Sequence, residues 1–335
     1  MSKKNKYDQY QYSLFDDEEL GTTTTLSGGR GMRSQATTSE INTPIVDLHR
    51  TATLHFISFG SGSSGNCSYL GSADQGILVD AGIEPKLVVD TLKYNNIPTS
   101  AVKGIFLTHD HGDHVRHVYT LTRMLRATIY CTPRVLSGIL RKHSISRRVK
   151  DYHKPIYKEI PVKLAGLEIT AFDVPHDGSC NSGYNITMGD ANFVIATDMG
   201  EIIPGAQRYM DEADYLMIES NYDETMLRNG TYADFLKHRI ISDHGHLDNV
   251  DAAKFLAGHA GGRLKYAFLC HLSKDNNTPE IALNCSKSAI EAAGHTVGDG
   301  SETLTEAAKD VQLIALPRFE ATRCYKFIVN AGNGK

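Results

Sequence analysis

The sequence predicts an α/β fold, and three observations support this prediction. Short apolar segments bounded by glycine, which are typical of buried strands, alternate with longer segments that predict helices. Several of the apolar segments end directly at a histidine or an aspartate, and side chains at strand ends commonly face a ligand. A chain of 335 residues with 41% apolar content can also form one large core or two small ones.

The composition limits the class of protein before any motif is considered. The formal net charge is −4, so the chain as a whole is not a polycation. The N-terminus has no apolar core of the signal-peptide type, and no apolar run is long enough to span a bilayer. We therefore expect a cytoplasmic protein without membrane contact. Free thiols of a reducing compartment are predicted for the six scattered cysteines, which contain no Cys-x-x-Cys pair: Cys67, Cys131, Cys180, Cys270, Cys285 and Cys324.

The first 50 residues differ from the rest of the chain. They are polar, contain short runs of threonine and glycine, and show no sustained periodicity. We therefore expect a disordered tail over residues 1–50 and one ordered domain over residues 51–335. A weaker alternative for the tail is a small docking element built from Tyr7, Tyr10, Tyr12 and Phe15.

The ordered part is predicted to begin with a strand over Leu54–Phe59. The loop Ser61–Asn66 follows, and its hydroxyls and free backbone N–H groups can cradle an anion, although a plain hairpin turn is the alternative. A second strand, Gly76–Asp80, ends at a carboxylate that needs a partner if it is buried. A helix is predicted from Pro85 to about Asn95.

The most informative segment comes directly after the predicted strand Gly104–Leu107. It consists of residues 108–114 and contains four residues of metal-ligand type: His109, His111, Asp113 and His114. In an extended turn the first two point to one side, and the last two follow as the chain enters a helix. Imidazole and carboxylate groups are ligands of divalent metals, above all Zn²⁺. The segment can thus supply two ligands to each of two adjacent metals. The alternative is a solvated histidine-rich loop or helix start.

A basic tract follows this motif. Helices are predicted over His114–Arg126 and Pro133–His143, with a strand over Thr128–Cys131 between them. Residues 116–154 contain ten basic residues and a single acidic one, Asp151. Such a local excess favours a phosphate backbone as partner, although a charge run is often only a solvated face. The densest part spans residues 141–150 and includes Arg141, Arg147, Arg148 and Lys150.

The arrangement of a strand followed by a ligand-type side chain recurs in the second half. It is predicted four times: Leu167–Val174 before His176, Asn192–Ala196 before Asp198, Tyr215–Glu219 ending at its glutamate, and Lys265–Cys270 before His271. Each case alone would be unremarkable, but four at one edge are hard to attribute to chance. Other predicted elements are strands Gly183–Thr187, Asp310–Leu316 and Arg323–Val329, a helix to about Gly258 capped by Asp248 or Asn249, and a helix over Pro279–Ala293.

The spacing His-x-His-x-Asp-His in residues 109–114 resembles the signature of the metallo-β-lactamase superfamily. The resemblance covers about residues 54–330 and implies a four-layer αββα sandwich, with two mixed β-sheets flanked by helices and two metals at their common edge. His111 stands where diiron redox members carry glutamate, which points to hydrolysis. Asp80 would steady the metal-binding loop. The implied ligands are His109, His111 and His176 for one metal, Asp113, His114 and His271 for the other, and Asp198 as the bridge.

Within the superfamily, the chain is similar to the YycJ/WalJ group of bacterial nuclease-like proteins. The shared motifs are Ser61–Cys67, Glu219–Asn221 with Asp223, Met226 and Leu227, and Gly245–Leu247 with Asn249. The chain departs from the group at Tyr222, where a histidine is expected, and the departure would change substrate specificity if that histidine contacts the substrate.

The resemblance also suggests roles beyond metal binding. Asp113 and His246 are the candidate catalytic residues. Related phosphodiesterases place a histidine after a glycine near the scissile phosphate, so His246 can donate a proton to the leaving oxygen or contact phosphate. His244 is the weaker candidate, and a pair that merely packs at a helix start is the alternative. The candidate substrate contacts are Ser63, Ser64, Asn66, Asn221, Asn249, Arg141, Arg147, Arg148 and Lys150.

The leading hypothesis is a metal-dependent phosphodiesterase or nuclease that uses a hydroxide bridging two divalent metals. The family resemblance favours DNA as substrate and includes exonuclease action. Zn²⁺ is favoured as the metal, and Mn²⁺ or Fe²⁺ is permitted. One alternative is hydrolysis of a thioester, lactone or cyclic phosphodiester, against which the basic tract argues. The other is a non-catalytic metal-binding regulator, against which the complete ligand set argues.

Overall fold

The computed structural model describes residues 51–331, so the predicted tail and its alternative docking element lie outside the described residues. Within this range the strands are β1 Thr51–Gly60, β2 Cys67–Gly71, β3 Gly76–Val79, β4 Val102–Phe106, β5 Thr128–Cys131, β6 His153–Pro155, β7 Val162–Leu164, β8 Leu167–Asp173, β9 Ser182–Met188, β10 Ala191–Ala196, β11 Tyr215–Glu219, β12 Tyr266–Cys270, β13 Val297–Gly298, β14 Val311–Ala315 and β15 Tyr325–Asn330.

The helices complete the element order. The α-helices are α1 Pro85–Tyr94, α2 Gly112–Val115, α3 Val118–Leu125, α4 Pro133–Arg141, α5 Pro204–Met210, α6 Glu224–Asn229, α7 Asp234–Ile241, α8 Asn249–His259, α9 Pro279–Ala292 and α10 Leu304–Ala307. Two 3-10 helices lie at Thr99–Ala101 and Arg147–Tyr152. The side chain of Asp248 caps α8 by accepting a hydrogen bond from the backbone N–H of Asp251.

The strands form two mixed sheets. The first has the order β15-β1-β2-β3-β4-β5-β6, and the second has the order β13-β14-β12-β11-β10-β9-β8-β7. Strands β3 to β6 pair in parallel in the first sheet, as do β10, β11, β12 and β14 in the second. Parallel neighbours end at the same edge of a sheet, so the segments after β3, β4, β10, β11 and β12 lie at sheet edges where ligands commonly bind.

Three apolar clusters hold the layers together. Between the sheets, Phe56 of β1 packs against Phe193 of β10 and Phe268 of β12, with ring centroids 4.7 Å apart in both pairs. Each such buried ring contributes about 1.5–3 kcal/mol. Helices α1, α3 and α4 cover the outer face of the first sheet, and α5, α8 and α9 cover that of the second. The predicted four-layer α/β sandwich is thus confirmed.

One predicted helix is divided in two. The sequence predicts a continuous helix over His114–Arg126, but the structure has α2 and α3 with a break at Arg116 and His117. The segment after β3 causes the break: the backbone N–H of Ala81 donates to the carbonyl of His114, and the N–H of His117 donates to the carbonyl of Ala81. These bonds replace helical ones, and they tie the metal-type motif to the end of β3.

The elements that the sequence analysis did not predict are mostly short or polar. They are strands β2, β6, β7 and β13 and helices α5, α6, α7 and α10. No helix in residues 51–331 combines the length and apolar character needed to cross a lipid bilayer. All six cysteines are described, and none forms a disulfide.

Candidate metal centre

The predicted ligands come together at the carboxyl ends of strands from both sheets. Asp80 follows β3, Thr108 and His109 follow β4, Asp198 follows β10, and His271 follows β12. Asp80, Asp198 and His271 have φ angles of 64°, 51° and 53°, in the left-handed region that residues other than glycine rarely adopt. This conformation costs on the order of 1–3 kcal/mol per residue and persists where surrounding contacts enforce it, as at functional sites.

Four residues form a first donor set: His109, His111, His176 and Asp198. Each offers one ligand atom, and these atoms all lie within 4.8 Å of one another. Asp198 Oδ2 lies 3.5 Å from His109 Nε2 and 3.7 Å from His176 Nε2. His111 Nδ1 lies 3.3 Å from His176 Nε2. The set therefore converges on one point.

Asp113, His114 and His271 form a second donor set, again with ligand atoms within 4.8 Å of one another. Asp113 Oδ2 lies 3.5 Å from His114 Nε2 and 3.4 Å from His271 Nε2. Asp198 Oδ2 lies 3.3 Å from His114 Nε2. The oxygen of Asp198 that faces the first set thus faces the second set as well.

Most of the donors are held in the protonation state that a metal requires. Burial and neighbouring imidazoles lower the pKa of His109, His111 and His176, which keeps these rings neutral. Burial acts to raise the pKa of Asp113 and Asp198, but the surrounding histidines outweigh it, and both carboxyls have a pKa below the usual value. Neutral imidazole and ionised carboxylate are the metal-binding forms.

The two histidines of the second donor set show the opposite effect. Burial acts to lower the pKa of His114 and His271, but Asp198 and other carboxylates outweigh it. The pKa of His114 lies well above its usual value, and that of His271 is raised to about 10. The buried carboxylates therefore attract positive charge to this point, which a divalent cation can supply by displacing protons.

A buried ring nitrogen provides the most direct test of whether a metal fits. His109 is fully buried, and its Nε2 has no hydrogen-bond partner among residues 51–331. Its other ring nitrogen lies 2.9 Å from Thr108 Oγ1. Leaving a buried polar atom unpaired costs about 1–3 kcal/mol, and a metal bond would remove that cost. Donors of imidazole and carboxylate type in this arrangement suit Zn²⁺, Mn²⁺ or Fe²⁺.

Asp80 lies behind the second donor set and is 2% exposed. Its carboxylate accepts hydrogen bonds from Thr108 N at 2.9 Å and Thr108 Oγ1 at 3.0 Å, and from His114 Nδ1 at 2.7 Å. With Nδ1 engaged in this way, Nε2 of His114 faces the donor set. Such partners orient a ligating ring and increase its basicity.

Glu219, at the end of β11, has a comparable position but was not among the predicted site residues. Its Oε1 accepts hydrogen bonds from Nδ1 of His246 at 2.7 Å and from Nδ1 of His271 at 3.0 Å. Its Oε2 accepts from the backbone N–H groups of Met199 and Leu247. Burial acts to raise the pKa of Glu219, but His246 and His271 outweigh it and lower the pKa. One ionised carboxylate therefore orients two imidazoles, and its place at a strand end was the signal that the sequence offered.

His246 occupies the open side of the centre. Its ring lies 5.2 Å from that of His271 and 4.9 Å from that of His176, centroid to centroid, and its side chain is 20% exposed. Its ligand atom lies within 4.8 Å of those of Asp198 and His271. His246 can thus reach a substrate or a metal. His244, the weaker candidate from the sequence, is exposed.

Asp110, which sequence reasoning also missed, connects the donor sets to the basic tract. It accepts hydrogen bonds from Ser179 N at 2.9 Å and Ser179 Oγ at 2.8 Å. Arg141 Nη2 donates to the same Ser179 Oγ at 2.8 Å. Gly138 of α4 permits this contact, because a Cβ there would lie 1.9 Å from Asp110 Oδ2. Arg141 therefore supports the loop between His109 and His111.

The predicted substrate contacts differ in their access to the centre. Ser63 is exposed and lines a cavity beside the centre, and the carbonyl of Ser64 accepts a hydrogen bond from Arg116. Asn66 is 3% exposed, and its Nδ2 lies 3.3 Å from Asp113 Oδ2. Asn221 is 4% exposed, and its Nδ2 donates to the carbonyl of His271 at 2.7 Å. The two asparagines thus support metal-type ligands.

Asn249 lies beneath the surface of the centre. It is 2% exposed, accepts a hydrogen bond from Ser220 Oγ at 2.6 Å, and exchanges side-chain hydrogen bonds with Asn277. Tyr222, where the resemblance predicts a histidine, is 5% exposed and forms a β-bridge with Asp248. The structure brings neither Asn249 nor Tyr222 to the open side.

The densest part of the basic tract lies on the surface. Arg147, Arg148 and Lys150 are exposed on the 3-10 helix Arg147–Tyr152, which Val149 anchors in the core. Arg148 pairs with Asp151 at 3.6 Å, an exposed contact of little energetic weight. The tract is therefore free to meet a large partner.

Comparisons with known proteins agree on a family. The family model described as beta-lactamase superfamily domain matches residues 75–271. The chain is 35% identical to exodeoxyribonuclease WalJ of Streptococcus pneumoniae over 223 residues, which cover 66% of this chain and 82% of that protein. It is 33% identical to exodeoxyribonuclease YycJ of Bacillus anthracis over 250 residues, which cover 74% of this chain and 94% of that protein.

Solved structures agree on the fold. The metallo-beta-lactamase fold protein YhfI from Bacillus subtilis matches with a TM-score of 0.57 at 16% identity, covering 82% of this chain and all of that one. Zn²⁺-bound PqqB from Methylobacterium extorquens has the same TM-score and identity and covers 80% of this chain and 99% of that one. The chain belongs to the metallo-β-lactamase superfamily, as a hydrolase-fold protein of the YycJ/WalJ type.

Proposed function

We propose that the protein is a metal-dependent phosphodiesterase that hydrolyses DNA. The proposal depends on one observation: two donor sets that share Asp198 Oδ2 lie beside His246 and an adjoining cavity. The relatives' name, exodeoxyribonuclease, supports DNA as the substrate and exonuclease action. The exposed basic tract supports a polyanionic substrate.

The donor sets are proposed to hold two divalent ions, for which Zn²⁺ is favoured and Mn²⁺ and Fe²⁺ also fit. Bound ions would act as Lewis acids that activate water and stabilise charge on the phosphoryl oxygens. Asp113 is also a proposed catalytic residue, because its ionised carboxylate belongs to the second donor set and its side chain is 18% exposed. The proposed ligands are His109, His111 and His176 for one ion, Asp113, His114 and His271 for the other, and Asp198 for both.

The reaction adds one water across one P–O bond. The oxygen of water bonds to phosphorus, water releases a proton to solvent, and the bond from phosphorus to the leaving sugar oxygen breaks. His246 gives the leaving oxygen a proton and later regains one from solvent. Because the ionised Glu219 can only accept hydrogen bonds, it holds Nδ1–H of His246 and leaves Nε2 to deliver the proton.

The remaining roles concern substrate binding and location. Arg147, Arg148 and Lys150 are proposed to bind phosphates of DNA. Arg141 is proposed to bind a phosphate as well, and it also supports the loop that contains Asp110. Ser63 and Ser64 are proposed to contact the substrate near the centre. The free state of all six thiols supports the proposed cytoplasmic location.

The test is to incubate the metal-loaded protein with labelled single- and double-stranded DNA and RNA, and in parallel with thioester, lactone and cyclic phosphodiester substrates. We expect hydrolysis of DNA, which the variant Asp198→Ala lacks. Hydrolysis of a small substrate alone would indicate a small-molecule hydrolase. DNA binding without any hydrolysis would indicate a regulator.

A further inference from the structure

A small cavity lies directly beside the donor sets, and helix α7 forms one of its walls. It has a volume of about 270 Å³ and borders His176 and His246. Its lining also includes Ser63, Tyr232, and Leu236, Arg239 and Ile240 of α7. Pockets for drug-sized ligands begin at roughly 300 Å³. The cavity thus has room for about one nucleotide unit.

Helix α7 makes no contribution to the apolar core, because none of its residues is buried. Its C-terminal end is nevertheless attached to the centre: the backbone N–H of His246 donates to the carbonyl of Ile240 at 2.9 Å. A Cβ on Gly245 would lie 2.1 Å from that same carbonyl oxygen. The carbonyl of Gly245 in turn accepts a hydrogen bond from His176 Nδ1 at 2.8 Å. These backbone contacts therefore hold α7 beside both histidines, although no residue of the helix is buried in the core.

The chemistry of this wall matches a nucleotide. Arg239 donates through Nε to Asp177, is 57% exposed, and makes no ion pair with any other carboxylate among residues 51–331. Tyr232 is oriented by its hydroxyl, which donates to Asp275 at 2.9 Å. Phe235 lies one turn before Arg239 and is 76% exposed. A cation for phosphate, a phenol ring in the cavity lining and an exposed phenyl ring one helical turn from that cation are groups that bind single-stranded nucleic acid.

We propose that this cavity receives the terminal nucleotide of the strand being cleaved, and that α7 blocks the path beyond it. This inference rests on the proposed function and adds the length of the product. In this proposal Tyr232, Leu236 and Ile240, which line the cavity, stop the strand there, so one nucleotide extends past the scissile bond and mononucleotides are released. Arg239 binds the phosphate of that nucleotide, and Phe235, one helical turn away, stacks on a base outside the cavity.

The first experiment measures product length on end-labelled DNA by denaturing electrophoresis from the earliest turnovers. We expect mononucleotides from the wild type, and dinucleotides and trinucleotides in addition from Tyr232→Ala combined with Leu236→Ala. Unchanged products from the double variant would overturn the role of α7. Release of oligonucleotides by the wild type would overturn the inference and leave the proposed function intact, whereas the absence of DNA hydrolysis would overturn both.

The second experiment does not depend on enlarging the cavity. Phe235→Ala should raise the KM for DNA about 5- to 150-fold, the range produced by removal of one base stack, with a smaller change in kcat. Arg239→Gln should raise the KM as well. The matched controls are Tyr94→Ala, which removes an equally exposed ring (78%) at the end of α1, and Arg228→Gln on α6. Equal effects in variants and controls would refute the assignment.

Discussion

The donor sets and the surface around them are built differently. The ligands are mostly buried, follow strands of both sheets, and are oriented by other buried groups such as Asp80 and Glu219. The basic tract and α7 are exposed, and α7 buries no residue at all. Buried groups that are hydrogen-bonded to one another hold the ligand atoms within about 0.5 Å of the positions that metal binding requires. Exposed side chains, in contrast, can adapt to a long substrate. Substitutions in the two regions should therefore separate turnover from binding.

The largest effect is expected from Asp198→Ala. The variant should lose metal and hydrolytic activity completely, because Asp198 Oδ2 faces both donor sets. The measurements are metal content by mass spectrometry and turnover of DNA, with circular dichroism to show that the fold survives. Asp211→Ala removes a partly exposed carboxylate paired with His259 and serves as the control. Full metal occupancy with normal turnover in Asp198→Ala would refute the assignment of the centre.

A smaller but still large loss is expected from His246→Ala. Both metals should remain, and turnover of DNA should fall roughly 10²–10⁴-fold, the usual contribution of a general acid. A substrate with a p-nitrophenolate leaving group, which needs no proton, should be spared most of that loss.

The same variant distinguishes the other roles that the geometry allows for His246. Equal losses on DNA and on the p-nitrophenyl substrate would favour a phosphate contact. Loss of one metal equivalent would mean that His246 is a ligand with Asp198 and His271, whose ligand atoms lie within 4.8 Å of its own.

Glu219→Gln is expected to have an intermediate effect. The glutamine side chain keeps the size of glutamate but loses the charge and offers only one accepting oxygen. It cannot serve His246, His271 and two backbone N–H groups equally well. We expect a 10- to 100-fold loss in metal affinity or activity, as is usual for groups that orient ligands. A loss below twofold in both quantities would contradict an orienting role.

The same contrast between regions explains what could be predicted from the sequence. Strand ends are visible as apolar runs that stop at a charged or imidazole side chain, so the sequence predicts that Asp80, His109, Asp198 and His271 follow strands, as they do. The αββα architecture followed from the family resemblance. The break between α2 and α3 could not be predicted, because the carbonyl of His114 is taken by Ala81, a contact across more than 30 residues.

Residues that act through distant partners were missed for a similar reason. Glu219 has the same sequence signal as Asp198, but only the fold shows that it meets His246 and His271. Asn249 is the opposite case: a shared motif led to its prediction as a substrate contact, but the fold buries it between Ser220 and Asn277. Helix α7 buries no residue, so its sequence carries no strong apolar periodicity, and only the fold shows that its residues line the cavity beside His246.

The smallest effect on turnover is expected in the basic tract. Replacing Arg147, Arg148 and Lys150 together with serine should weaken DNA binding mainly at low salt. The plot of log affinity against log salt has a negative slope, and each phosphate that the protein no longer binds makes this slope shallower by about 0.9 on duplex DNA. The loss of three contacts should therefore make the slope shallower by up to ~2.7. Binding measured by fluorescence anisotropy between about 50 and 200 mM salt resolves such a change.

The control for the tract removes the same charge elsewhere. Lys86, Lys254 and Lys287 are exposed lysines on three other helices, each paired with a carboxylate within its own helix. Their replacement by serine changes the net charge equally but lies away from the tract. If long-range charge alone steered DNA, both triple variants would lower the salt slope alike. A decrease confined to the tract variant would show direct binding to phosphates, and an unchanged slope in that variant would make the tract an ordinary solvated face.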